Sequence, residues 1–153
     1  MVDGRQVINL PMRLRRKMLR HVRSAVPEEA CGFLAGVGST SSGLIASSLI
    51  ASGSIASAVV PVTNSLHSPV RFIMEPMEQY RAMQWIEQNA LEILAIYHSH
   101  PSGPPVPSAT DLAEHAFPDA FCMIWSPSGS RWHLHCFRID RSQFEELSIN
   151  SGV

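Results

Sequence analysis

Residues 91–111 constrain the fold most. An apolar run over 91–97 reads as a strand and leads directly into His98; Pro101, Pro104, Pro105 and Pro107 then stud a loop. Ser108-Ala109-Thr110-Asp111 has the spacing of a helix capping box, so a helix is expected from there to about residue 116. A strand, a stiffened loop and a helix in that order demand a sheet with helices packed on it.

The flanking segments extend that unit. Pro11 suits the first turn of a helix over 11–26, with Leu14, Met18, Val22 and Ala25 or Val26 as its buried stripe. Arg13, Arg15, Arg16, Lys17, Arg20 and Arg23 cover the rest of it, half of the chain's Lys and Arg. A solvated amphipathic face is expected there, with a landing site for an acidic partner as the alternative. Residues 31–37 read as a buried strand closed by glycine, and 7–10 and 58–63 as further strands. Residues 64–69 have turn chemistry. Ile-Ala-Ser recurs at 45, 50 and 55 in a Ser/Gly/Ala-rich stretch over 38–58, which reads as one or two strands with simple turns. Pro76 opens a second helix with Met77, Tyr80, Met83, Ile86 and Ala90 facing inward, and 120–126 with 131–139 form a hairpin around 127–130. The fold class is therefore α/β, a mixed β-sheet flanked by helices, with no domain boundary visible in residues 1–153.

Composition removes several function classes. With 45% hydrophobic residues, 16% charged and a net charge of -1, nothing pulls the chain toward nucleic acid or an anionic membrane. No run of 18 apolar residues exists and the first residues carry no export signal, so a soluble, cytoplasmic protein is expected. Cys31, Cys122 and Cys136 form no Cys-x-x-Cys pair, which argues against both a disulfide framework and a thiolate metal site. A monomer and a homodimer both suit the sequence.

The chemistry sits at the end of the first strand described. Residues two apart on a strand point to one side, so His98 and His100 can present two imidazoles to one point. The proline-stiffened loop returns the chain so that Asp111, in the first helical turn, can join them. Two imidazoles and a carboxylate suit zinc, with iron, cobalt or nickel as alternatives, and three protein ligands leave a fourth position for water. A lone His-x-His is more often packing or surface, which is the reading for His133 and His135, where no acid follows at matching spacing. Cys31 is read as a packed residue rather than a nucleophile.

His98-x-His100-Pro101, six residues, then Ser108-x-x-Asp111 resembles the signature of the JAMM (MPN+) metalloprotease domain. Pro27-Glu28-Glu29-Ala30-Cys31-Gly32 resembles the segment that carries that family's catalytic glutamate. The resemblance spans about residues 7–140 and is strongest with the short prokaryotic members. It implies a cytidine-deaminase-like architecture and one zinc per chain held by His98, His100 and Asp111. It also implies Glu29 as general base, Glu28 as a nearby surface carboxylate, and Ser108 as hydrogen-bond donor to the oxyanion. A carboxylate near pKa 4.3 faces a deficit of about 15 kcal/mol against free water but only about 4 kcal/mol against water on zinc, so glutamate and metal are needed together. The implied substrate is the C-terminal tail of a ubiquitin-like or sulfur-carrier protein, cleaved at an isopeptide bond or to release an amino acid such as cysteine. The tail would enter by strand addition beside the metal. A non-catalytic MPN-type scaffold is the alternative, although that class typically lacks the ligands. A nucleobase deaminase would need His-x-Glu and Pro-Cys-x-x-Cys, which are absent.

Overall fold

The computed structural model describes residues 8–38 and 53–152. Among these residues eight strands, β1 (Ile8–Asn9), β2 (Cys31–Val37), β3 (Ser54–Val62), β4 (Glu92–Ser99), β5 (Phe121–Ser128), β6 (Arg131–Asp140), β7 (Gln143–Leu147) and β8 (Ile149–Asn150), form one sheet in the order β7-β6-β5-β4-β2-β3-β1-β8. β4 runs parallel to β5 and antiparallel to β2, and β1 runs parallel to both its neighbours, which makes the sheet mixed as expected. Among the described residues three helices accompany it: α1 (Met12–Ala25), α2 (Pro76–Gln88) and α3 (Ala109–Ala113).

Leu147 pairs with Cys136 on β6 while Ile149 pairs with Ile8 on β1, so the single residue Ser148 joins the two ends of the strand order. Two backbone steps reach at most about 7 Å. The sheet must therefore curl on itself, and α1 fills the concavity: Leu14, Met18 and Val22 pack with Leu34, Val59, Tyr97, Met123, Trp125 and Leu147. The opposite face carries α2 over Cys31, Phe33, Ala35, Val62 and Met74, and continues beneath α3 as Cys122, Ile124, Phe137 and Ile139. No helix among the described residues is long and apolar enough to cross a membrane.

Several boundaries and one face differ from the sequence reading. α1 ends at Ala25 and Val26 is exposed, while α3 stops at Ala113. β3 begins at Ser54, because Val37 and Ile8 supply backbone partners for its first residues. Much of the Ser-rich stretch, and Val7, lie outside the described residues. α2 buries Ala82 and Ile86, while Met77, Tyr80 and Met83 are exposed and Ala90 lies beyond the helix with φ 57°. Two glutamates explain that orientation: the Glu75 N–H donates to Thr63 O and the Glu78 carboxylate accepts from Thr63 N, so the face turned to the sheet is anchored by polar bonds. β7 and β8 were not anticipated, since β7 is exposed over four of its five residues and shows little apolar alternation.

Candidate functional site

β4 delivers the two imidazoles. Its cross-strand partners Cys31 and Ile124 lie on the α2 face, and so does His98; the preceding Tyr97 points to the other face against α1. Gly32 makes that close packing possible, because a Cβ there would lie 2.6 Å from the Tyr97 ring. Phe72 packs against His98 with ring centroids 4.7 Å apart and the planes tilted by 31°. His100 continues the pairing with β5 through its N–H to Trp125 O, and its Nδ1 lies 2.8 Å from Pro104 O. A carbonyl can only accept, so Nδ1 must carry the proton and Nε2 faces inward with its lone pair. The proline loop thus fixes a tautomer as well as a path.

His98 Nε2 and His100 Nε2 are 3.0 Å apart, and each is 3.1 Å from Asp111 Oδ2. Burial lowers the pKa of His98 and keeps its ring neutral. Burial also opposes charge on His100, but the Asp111 carboxylate and the Pro104 carbonyl outweigh it and raise that ring. For Asp111, burial favours the acid, yet hydrogen bonds with His100 and His98 and the Ser108 amide hold the carboxyl well below its usual range.

Glu29 comes from the turn between α1 and β2 and is 4% exposed. Its carboxylate and the two histidine nitrogens lie within 4.8 Å of one another, but its buried Oε1 has no hydrogen-bond partner. Burial lifts its pKa to about 8, with His100 opposing and Asp111 adding to the rise. Glu28 lies outside this cluster and pairs with His67 at 3.2 Å near the surface.

Ser108 Oγ accepts from Asp111 N at 3.0 Å, and Asp111 Oδ2 accepts from Ser108 N at 2.8 Å, so the expected capping box is complete. An oxygen that accepts a backbone proton keeps its own O–H free to donate elsewhere. Beside His98 and Asp111 opens a recess of about 290 Å³ walled by Phe72, Met74, Ile96, Phe117 and Cys122.

Two residues at the site escaped the sequence reading. Ser99, between the histidines and fully buried, accepts from Ala30 N at 2.8 Å. Asn64, taken from sequence as turn chemistry alone, donates to Glu29 O at 3.1 Å. A strand serine between two candidate ligands was the available signal for the first; nothing local marks the second. The other candidates settle as packing or surface. His133 is exposed, His135 bonds Glu146 at 2.7 Å, and Cys31 is buried with its thiol pushed up to about 12 by burial and the nearby Glu29. On α1, Arg13, Arg16, Lys17, Arg20 and Arg23 are exposed, as a solvated face requires.

A dication with bonds near 2.05 Å in tetrahedral coordination wants its ligands roughly 3.3 Å apart. The His98, His100 and Asp111 triangle, with edges of 3.0–3.1 Å, is within a few tenths of an ångström of that, and its donors are the nitrogen and oxygen types such ions take. The partnerless Glu29 Oε1 beside it further requires a polar guest. The residues present fit a metal ion.

The family model for prokaryotic homologs of the JAB domain matches residues 11–139. A desampylase of Haloferax volcanii is 31% identical over 93% of this chain and 94% of its own length. A CysO-cysteine peptidase of Mycobacterium tuberculosis is 28% identical over 87% of this chain and 83% of its own. The solution structure of a Desulfitobacterium hafniense protein superposes with a TM-score of 0.77 at 30% identity, covering 93% of this chain and 90% of that one.

Proposed function

The chain belongs to the prokaryotic JAB-domain family, and from that premise we propose that it is a zinc-dependent isopeptidase or peptidase acting at the C-terminal tail of a ubiquitin-like or sulfur-carrier protein. The observation that carries this reading is the buried Glu29 carboxylate, partnerless at Oε1, beside the tight triangle of His98, His100 and Asp111. A scaffold that only binds partners has no use for a buried carboxylate held without a hydrogen-bond partner, which is unfavourable for folding.

His98, His100 and Asp111 would hold the zinc, with Asp111 rather than Glu29 as the third ligand because its oxygen is the one at 3.1 Å from both imidazoles. When bound, the ion supplies Lewis acidity and lowers the pKa of water to about 7. Glu29 then takes a proton from the attacking water as it adds to the amide carbonyl carbon. The same carboxyl returns that proton to the departing nitrogen, so the leaving group departs as a neutral amine. A carboxyl lifted toward neutrality is suited to both halves of that transfer. Ser108 donates its free O–H to the carbonyl oxygen as negative charge develops there.

Exposed apolar groups support a protein substrate: Ile73, which lines the recess beside His98 and Asp111, with Leu66 and Val70 on the same loop and Met77 and Tyr80 on α2. The activities named for the relatives, desampylase and CysO-cysteine peptidase, place the two variants of the reaction side by side. A cytoplasmic setting fits the three free, buried cysteines.

The test is cleavage of isopeptide conjugates and carrier-cysteine adducts of the ubiquitin-like and sulfur-carrier proteins from the same source, read by mass. Glu29→Gln should keep about one zinc per chain and lose turnover by a factor of about 10² to 10⁴. Wild-type turnover in that variant would remove Glu29 from the reaction.

A further inference from the structure

The geometry points to Asn64 as a positioning residue that fixes the general base through its main chain. The inference rests on the reading of Glu29 as that base. Asn64 follows β3, is 5% exposed, and bonds only to backbone. Its Nδ2 donates to Glu29 O at 3.1 Å, to Arg71 O at 3.1 Å and, more weakly, to Ser68 O at 3.4 Å. Its Oδ1 accepts from Leu66 N at 3.1 Å and Ile73 N at 3.2 Å. One amide side chain thus ties together the loop over 64–73.

That loop is also what Glu29 leans on. The Glu29 N–H donates to Ser68 O at 2.9 Å, so both backbone groups of Glu29 bind the loop, and neither is spent on a strand neighbour. The next residue, Ala30, is held instead by Ser99 on β4. Glu29 therefore sits between two anchors: Ser99, which belongs to the strand carrying the histidines, and Asn64, which fixes the loop side. A residue serving only to staple a loop would bond within the loop. Asn64 directs one of its two 3.1 Å donations out of it, to the peptide that carries the carboxylate.

The chemistry of the contact admits few replacements. Asn64→Asp keeps the shape and the Oδ1 acceptor but turns an oxygen toward the carbonyls of Glu29, Arg71 and Ser68. Asn64→Ser keeps a polar group too short to reach all five partners. In the zinc-loaded full chain, with wild type and Glu29→Gln measured alongside on the same conjugate, both Asn64 variants should lower kcat by about tenfold to a hundredfold with KM within about twofold. Zinc content should stay at one per chain. Hydrogen exchange at the Glu29 amide should quicken while the amides of Phe33 and Leu34 on β2 stay as protected as in wild type.

An unchanged kcat would overturn the inference. So would a raised KM at constant kcat, which would make the loop a wall of the substrate site, or a Glu29 amide as protected as before. If Asn64→Asp unfolds and loses protection on β2 as well, Asn64→Ser carries the same comparison. Should the wild-type protein cleave no conjugate while the Glu29 amide still loosens in the variants, the anchoring holds and the peptidase reading fails.

Discussion

Replacing Glu29 with Gln should stabilise the metal-free protein, and only above a definable pH. The wild-type carboxyl has a folded-state pKa of about 8 against an ordinary value of 4.5, because burial penalises its charge by more than His100 relieves it, with Asp111 adding a smaller repulsion. The folded state therefore holds this proton more tightly than the unfolded state does. Stability from that difference is fully present below about pH 4.5, falls as pH rises, and is gone above about pH 8, where both states are ionised. Between about pH 5 and about pH 8 the wild-type loss amounts to about 3 kcal/mol. For a chain of this size that is a drop in Tm of roughly 6–12 °C. Glutamine cannot titrate, so any fixed penalty for its amide cancels when the two pH values are compared. The assay is thermal unfolding in chelator for both proteins at both ends of the window. Saturating zinc should shrink the gap, since a nearby dication favours the carboxylate. A Tm difference between Glu29→Gln and wild type that is the same at about pH 5 and about pH 8 would refute the argument that burial holds this group in its protonated form.

Substitutions at two further positions separate roles that share an atom or a face. Ser108→Ala should cost about 1 kcal/mol as a lost helix cap and lower kcat by about 10² or more as a lost oxyanion donor, whereas Ser108→Asp, which also caps, should recover stability without recovering kcat; unfolding midpoints and turnover measured on the same preparations check this, and full turnover in either variant would leave Ser108 as a cap alone. Gly32→Ala would set a Cβ 2.6 Å from the Tyr97 ring, so it should destabilise by about 1–3 kcal/mol and disturb the strand that carries His98, read as a lower Tm together with weaker zinc retention in a chelator competition.

The cluster of His98, His100 and Asp111 was legible because all three members lie within fourteen residues and their geometry is local: strand alternation for His98 and His100, a capping box for Asp111. The same holds for α1, whose buried stripe Leu14, Met18 and Val22 follows from helical period alone. The failures are equally physical. On α2, period alone put Met77, Tyr80 and Met83 inward, but the Glu75 N–H and the Glu78 carboxylate both bond to the backbone of Thr63 and the small Ala82 is the buried residue on that side, so the large apolar groups turn outward. β7 and β8 owe their existence to β6 and β1, partners supplied by the curl of the sheet rather than by their own sequence.

Asn64 shows where the boundary of such reading lies. In sequence it opens a run of turn residues, and a turn is what the local chemistry of asparagine supports; its Oδ1 indeed accepts from the amide two residues on. Its donation to Glu29 O crosses to a residue thirty-five positions earlier. Family resemblance could name Glu29, since the residue type is in the motif, but the orientation of a carboxylate is a property of the peptide it hangs from. Here that peptide is bonded on one side by a loop after β3, while the next residue is bonded by a serine on β4. The histidines and Glu29 thus reach one point from separate segments because β2 and β4 are paired neighbours, with Cys31 opposite His98 in register. A shift of that register by one residue would move the His98 side chain to the α1 face and leave Glu29 without its companions. The sheet pairing, more than any single ligand, is what makes the site one site.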